Sequence, residues 1–145
     1  MIDSAIHVEQ PLLRDSAIVA FIAAADLARA RDFYEGVLGL EIVSMDEFAL
    51  QARAGGVALR IARTPVVAAA PYTVLGFEVR DIRTLAGALA AKGVVFERYP
   101  SLSDTQDSRG IWTAPSGTQV AWFKDPDGNL LSISEVRGWS ASRFE

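Results

Sequence analysis

Apolar and polar positions run through this chain in two rounds of the same order. Residues 17–24 are apolar, with Ile18, Val19 and Phe21, as a buried strand requires. Asp26 follows as a helix N-cap. Leu27, Ala30, Phe33, Tyr34, Val37 and Leu38 then recur at helical spacing, with Arg29 and Arg31 on the other face. Gly36 and Gly39 are stop signals. Residues 40–44 predict a second strand. Residues 47–53 and 57–63 predict a third and fourth, joined by a Gly55-Gly56 hairpin turn. The first round therefore reads β-α-β-β-β.

The second round begins after a Pro- and Ala-rich linker at 64–71. Residues 72–79 predict a strand and Asp81 a cap. Ile82, Leu85, Leu89 and Ala90 line one helical face, Gly93 ends the helix, and 94–97 predict the next strand. Asp26 and Asp81 match at a constant offset, as do Leu27 with Ile82 and Ala30 with Leu85. Gly39 matches Gly93 once one residue is deleted. A Ser-, Asp- and Gly-rich loop spans 98–117, with an extended piece at 110–113, and loops of this length are commonly functional or mobile. A hairpin closes the round. Its strands run up to and away from Asp125-Pro126-Asp127-Gly128-Asn129, where Pro126 pre-sets φ and Gly128 takes a positive φ without steric cost. The expected organisation is an N-terminal arm at 1–16, module 1 at about 17–63, module 2 at about 72–135, and a tail at 136–145.

Composition narrows the chemistry. The chain has 145 residues, half of them hydrophobic, and a net charge of −4. That fits one soluble domain with a substantial core. No basic cluster points to nucleic acid, and no apolar run of about 20 residues spans a bilayer. The first residues lack a basic-then-apolar signal pattern, so a cytoplasmic protein is expected. There is no cysteine, which excludes disulfides, thiolate catalysis and thiolate metal sites. There is one histidine, His7, in the arm and outside any motif. A two-histidine, one-carboxylate site cannot be built from one such chain. A symmetric dimer does not help, since each of its two sites still receives one histidine.

Two β-α-β-β-β modules, Asp26-Leu27 after a strand, Phe33-Tyr34, Leu38-Gly39-Leu40 and the Asp-Pro-Asp-Gly-Asn turn resemble the vicinal-oxygen-chelate superfamily over roughly 17–135. That superfamily includes glyoxalase I, bleomycin-resistance proteins and extradiol dioxygenases. The resemblance implies an α+β fold of two tandem modules forming a curled mixed sheet around a cavity, and a homodimer. It also implies four metal-ligand positions on the concave face. By offset from the two caps and the final turn, these fall on Val19, on Arg60 (or Leu59 if the register slips by one), on Val74 and on Ser132. Divalent metals in such sites need imidazole or carboxylate donors, and an arginine repels a cation. Glu135 is an odd number of residues from Ser132 and points to the opposite strand face. No metal and no other cofactor is expected, which disfavours metal-dependent glyoxalase or dioxygenase activity.

Alternation along the strands then gives the expected pocket. Val19 and Phe21 line it from the first strand, and Val74 and Glu78 from the fifth. Phe48, Arg60, Val120, Trp122, Ser132 and Ser134 join them, with Trp112 either a lid over the cavity or a plug in a dimer interface. The duller readings are a core Trp122, packing serines, a surface Arg60 and, after a one-residue slip, a solvent-facing Glu78. Three functions follow. The first is a metal-free protein that binds a small organic molecule, sequestering a drug or metabolite. The second is a metal-independent isomerase or lyase using Glu78 or Arg60, with a buried Glu78 as general base. The third, disfavoured by the missing donors, is the metal-dependent chemistry of the superfamily.

Overall fold

The computed structural model describes residues 11–138. The first ten residues, with His7, and the tail from residue 139 lie outside the described residues.

In module 1, β1 (Val19–Ala24) sends Ile22 and Ala24 into the core and leaves Val19 and Phe21 exposed. This period of two is what a sheet with one covered face demands. The Asp26 carboxylate accepts hydrogen bonds from the Ala28 and Arg29 amides and starts α1 (Leu27–Arg31). The helix continues as a π-helical stretch, Asp32–Val37, in which the Leu38 amide bonds the Phe33 carbonyl. A π turn is how an α-helix absorbs a single inserted residue. Here it holds the one residue by which the first repeat exceeds the second. Gly36 lies in this stretch, and no atom comes within 4 Å of the position of an added Cβ. Its φ is not positive. Gly36→Ala is therefore expected to stabilise the fold by about 0.5–1 kcal/mol through reduced chain entropy. A urea titration with unchanged slope and a raised midpoint is the check; a lowered midpoint contradicts it.

Strands β2 (Glu41–Met45), β3 (Ala49–Ala54) and β4 (Val57–Arg63) complete the first sheet, in the order β1-β4-β3-β2. β1 runs parallel to β4, and the other pairs are antiparallel. Module 2 repeats this with β5 (Thr73–Glu78), α2 (Ile82–Ala91), β6 (Trp112–Thr113), β7 (Gln119–Lys124) and β8 (Leu130–Glu135), in the order β5-β8-β7-β6. Asp81 caps α2 through the Thr84 amide and hydroxyl. These bonds hold its carboxyl below the ordinary aspartate range.

The strand expected at 94–97 is reduced to one bridge, Phe96 with Phe123. The chain then turns away through Tyr99 and a 3₁₀ turn at Pro100–Leu102. Pro100 has no N–H to continue a ladder. The two-residue β6 pairs with the other end of β7, so the edge position is shared between two separate pieces.

The helix-facing sides of both sheets meet in a single core. Tyr34, Leu50 and Ile61 from module 1 pack with Ile82, Phe123 and Leu131 from module 2. Phe33 touches the Phe123 ring across the boundary, with centroids 6.4 Å apart. The mixed sheet is thus in two halves that do not close on one another within the chain. Among the described residues no helix is long and apolar enough to cross a membrane.

Candidate functional site

The face of each sheet turned from the core is the candidate site. On the first sheet, Phe21, Arg60 and Gln51 are successive partners across β1, β4 and β3. Val19 shares this face, one side-chain row away. Leu59 is in the core at 3% exposure, so the register selects Arg60 over Leu59 for the open face. Phe48 precedes β3 in phase with the core residue Leu50, not with Gln51, and is exposed beyond the strand end. Its expected place on the concave face is therefore corrected. The cause is local: the Asp46 carboxylate accepts from the Phe48 and Ala49 amides and turns the chain into β3 at that point.

On the second sheet, Gly76, Ser132 and Trp122 form one row across β5, β8 and β7. Glu78, Ser134, Val120 and Trp112 form the next, which reaches β6. Val74 is the residue at which the register of β5 with β8 shifts, between Thr73 and Leu75, and it is exposed two positions before Gly76. Trp122 is held from two sides. Its ring centroid is 6.1 Å from that of Trp112 and 5.4 Å from that of Tyr99, the latter edge-on. Tyr99 escapes sequence reasoning, because an aromatic before a proline in a long loop carries no period. Burial, and then the nearby Glu97 charge, raise its phenol above the usual tyrosine range, so it stays neutral.

The long loop is a folded piece and not a swinging lid. Buried Gln106 accepts from the Tyr99 amide and donates to the carbonyls of Glu97 and Gly110. The Asp107 carboxylate accepts from the Arg109 and Ile111 amides. Trp112 itself is laddered to Val120. The lid reading gives way to a fixed wall. The general-base reading of Glu78 also loses its premise, since Glu78 is exposed and the apolar burial it needed is not supplied by this chain alone. The Glu135 carboxylate points to the helix side, where it accepts from the Ile82 amide at the start of α2.

The hairpin turn sets the second sheet against the first module. The Tyr34 hydroxyl donates to Asp125 Oδ2 at 2.6 Å, and Asn129 Nδ2 donates to the same oxygen at 2.9 Å. Asp125 Oδ1 accepts from the Asp127 and Asn129 amides. Asn129 Nδ2 also reaches the Ala23 carbonyl, and Asp127 Oδ1 accepts from the Ala25 amide and from Arg29. Burial, with Asp125's charge added, pushes the Tyr34 phenol far above the usual tyrosine range and keeps it a donor.

Val19 and Arg60 thus stand on one open face and Ser132 on the other, with Val74 exposed at the start of β5. None of the four offers an imidazole or a carboxylate, and Arg60 is a cation, so this set does not fit a divalent metal.

A core shared by two β-α-β-β-β modules, with the outer face of each sheet open, defines a class of paired-module proteins. The chain belongs to the Glyoxalase/Bleomycin resistance protein/Dioxygenase superfamily, whose model matches residues 16–133. A search of curated proteins found no match. Among solved structures, a glyoxalase family protein from Bacillus anthracis is similar at 17% identity and a TM-score of 0.68, over 88% of this chain and all of that one. A glyoxalase/bleomycin resistance protein/dioxygenase from Nocardioides is similar at 16% identity and 0.68, over 95% of each chain. A lactoylglutathione lyase from Agrobacterium tumefaciens is similar at 21% identity and 0.65, over 84% of this chain and 95% of that one. At these identities the likeness shows the fold alone.

Proposed function

We propose that this chain binds a small organic molecule on its concave faces without a metal at the four superfamily positions, and that a second copy covers those faces in a homodimer. The observation that carries this is the exposure of apolar side chains where a monomer would bury them. Phe21 is 64% exposed, Val19 47% and Val74 38%. Apolar sheet surface of this kind marks an interaction site. The isomerase or lyase alternative uses the same Glu78 and Arg60 and differs in one outcome, turnover.

Native mass spectrometry on protein purified without chelators tests the reading. The expected spectrum is a dimer without stoichiometric metal, retaining an organic adduct or accepting one from a screen. A monomer at micromolar concentration, or one divalent ion per chain, overturns it. A bound compound that is converted to product replaces sequestration with the enzymatic alternative, which Glu78→Gln then tests.

A further inference from the structure

Away from both open sheet faces, the two modules meet along a groove of about 330 Å³. Module 1 contributes Phe33 and Val37 from the π-helical stretch. Module 2 contributes Val94 and Val95, just after α2, and Pro126 of the hairpin turn. Phe33, Val37 and Val94 rest against the common core, and the Phe33 ring is set edge-on to Tyr34 with centroids 5.2 Å apart. Val95 lies apart from that core and is 78% exposed. An apolar floor of this size falls within the range of small-molecule sites.

Charge is distributed unevenly around the floor. The lining holds Lys92, Lys124, Glu97 and Asp125. Asp125 is turned to the interior, where its two oxygens already accept four hydrogen bonds. That leaves two ammonium groups against one half-buried carboxylate. Lys124 lies 3.7 Å from Glu97, an ion pair too long to be a hydrogen bond. Lys92 donates to the Gly36 carbonyl at 3.0 Å, and an ammonium has three hydrogens to give. Both lysines therefore keep donors for an arriving acceptor. In a chain of net charge −4, this rim is locally cationic. Hydrogen bonds from an ammonium to a carboxylate are stronger than those to a neutral oxygen, so the rim favours an acid over an alcohol of the same shape.

We propose that this groove between the modules is a second ligand site, for a small amphipathic carboxylate. The apolar body rests on Phe33, Val37 and Val95, and the acid group meets the ammonium groups of Lys92 and Lys124. The site does not depend on what the sheet faces bind. Because it draws on both modules, an occupant favours the folded pair and raises its unfolding midpoint.

Calorimetric titration of the full chain with 4-phenylbutyrate, 4-phenylbutan-1-ol and 4-phenylbutylammonium tests this. The carboxylate should bind about tenfold more tightly than the alcohol, with the ammonium compound weakest. The Lys92→Gln/Lys124→Gln double variant should bring carboxylate and alcohol within about twofold of each other. Val95→Asp, at an exposed position, should weaken the carboxylate about tenfold in a protein that keeps its circular dichroism and midpoint. Phe21→Asp, on the first sheet's open face, should leave all three affinities unchanged. Equal or tighter binding of the alcohol or the ammonium compound overturns the ligand class. Carboxylate binding that survives the lysine substitutions, or that Phe21→Asp removes, overturns the site, and the lysine variant decides this even if Val95→Asp fails to fold. If none of the three binds the folded protein, both site and class fall.

Discussion

Asp125→Ala is expected to lower the unfolding free energy by about 3–4 kcal/mol. The side chain is buried at 6% exposure and accepts four hydrogen bonds: from Tyr34, from the Asn129 amide and side chain, and from the Asp127 amide. Removing it leaves buried donors without partners, and each such orphan costs about 1–3 kcal/mol. Tyr34→Phe is milder, about 1–2 kcal/mol, because Asp125 keeps its other donors. Asp125→Asn is not a silent isostere. Its amide would present a donor where Tyr34 and Asn129 already donate. Urea unfolding of the three variants and of the Tyr34→Phe/Asp125→Ala double variant measures the coupling. A loss below 1 kcal/mol for Asp125→Ala would remove the turn's role as the fastening between modules.

Phe123→Ala is expected to cost about 3–5 kcal/mol, toward the upper end for a core aromatic. Phe123 is fully buried and meets Phe96 edge-on at 5.8 Å and Phe33 of the other module at 6.4 Å. It also borders a half-open apolar groove of about 180 Å³ lined by Leu38, Leu40, Phe77, Val79, Leu85, Leu89 and Ile133. Truncation leaves a cavity beside this groove, and the cost of such a substitution grows with the cavity left behind. Phe123→Leu should recover more than half of the loss. Calorimetric or denaturant midpoints decide it, and a loss under 2 kcal/mol would mean that the cavity collapses.

Legibility in the sequence follows the range of the interactions. The caps at Asp26 and Asp81 were readable because a cap is decided within three residues. Strand β4 was readable from period-two alternation, and the hairpin from Pro126 and Gly128. The one-residue mismatch between repeats was visible, but not that α1 holds it as a π turn. Residues 94–97 carry strand-like composition, and only the departure at Tyr99-Pro100 reduces them to a bridge. The site was legible as a set of strand faces, since parity along β1, β4, β5, β7 and β8 brings together Val19 with Arg60 and Glu78 with Trp122. It was not legible as an enclosure, because enclosure depends on what lies opposite each sheet. Tyr99 against Trp122 and the Tyr34–Asp125 bond join residues far apart in the chain, and the Gln106 anchor works inside an irregular loop, so none has a local period to announce it.

One feature of the topology governs time as well as shape. Among the described residues every ladder closes inside its own module, and the modules meet through core contacts, the fastened turn and a Lys92 hydrogen bond to the Gly36 carbonyl. The first module closes β1 on β4 from Val19 to Ala58, whereas the second closes β5 on β8 over a longer stretch, from Thr73 to Leu130, that includes the loop at 98–117. Loop-closure entropy and contact order both favour the module with the shorter closure. Module 1 should therefore assemble first, with the turn bonds made last. Asp125→Ala should accordingly speed unfolding and leave the refolding rate nearly unchanged in stopped-flow experiments, and a slowed refolding arm would contradict that order. A duplicated architecture thus has an unequal history each time it forms: its first half can serve as the template on which its second half condenses.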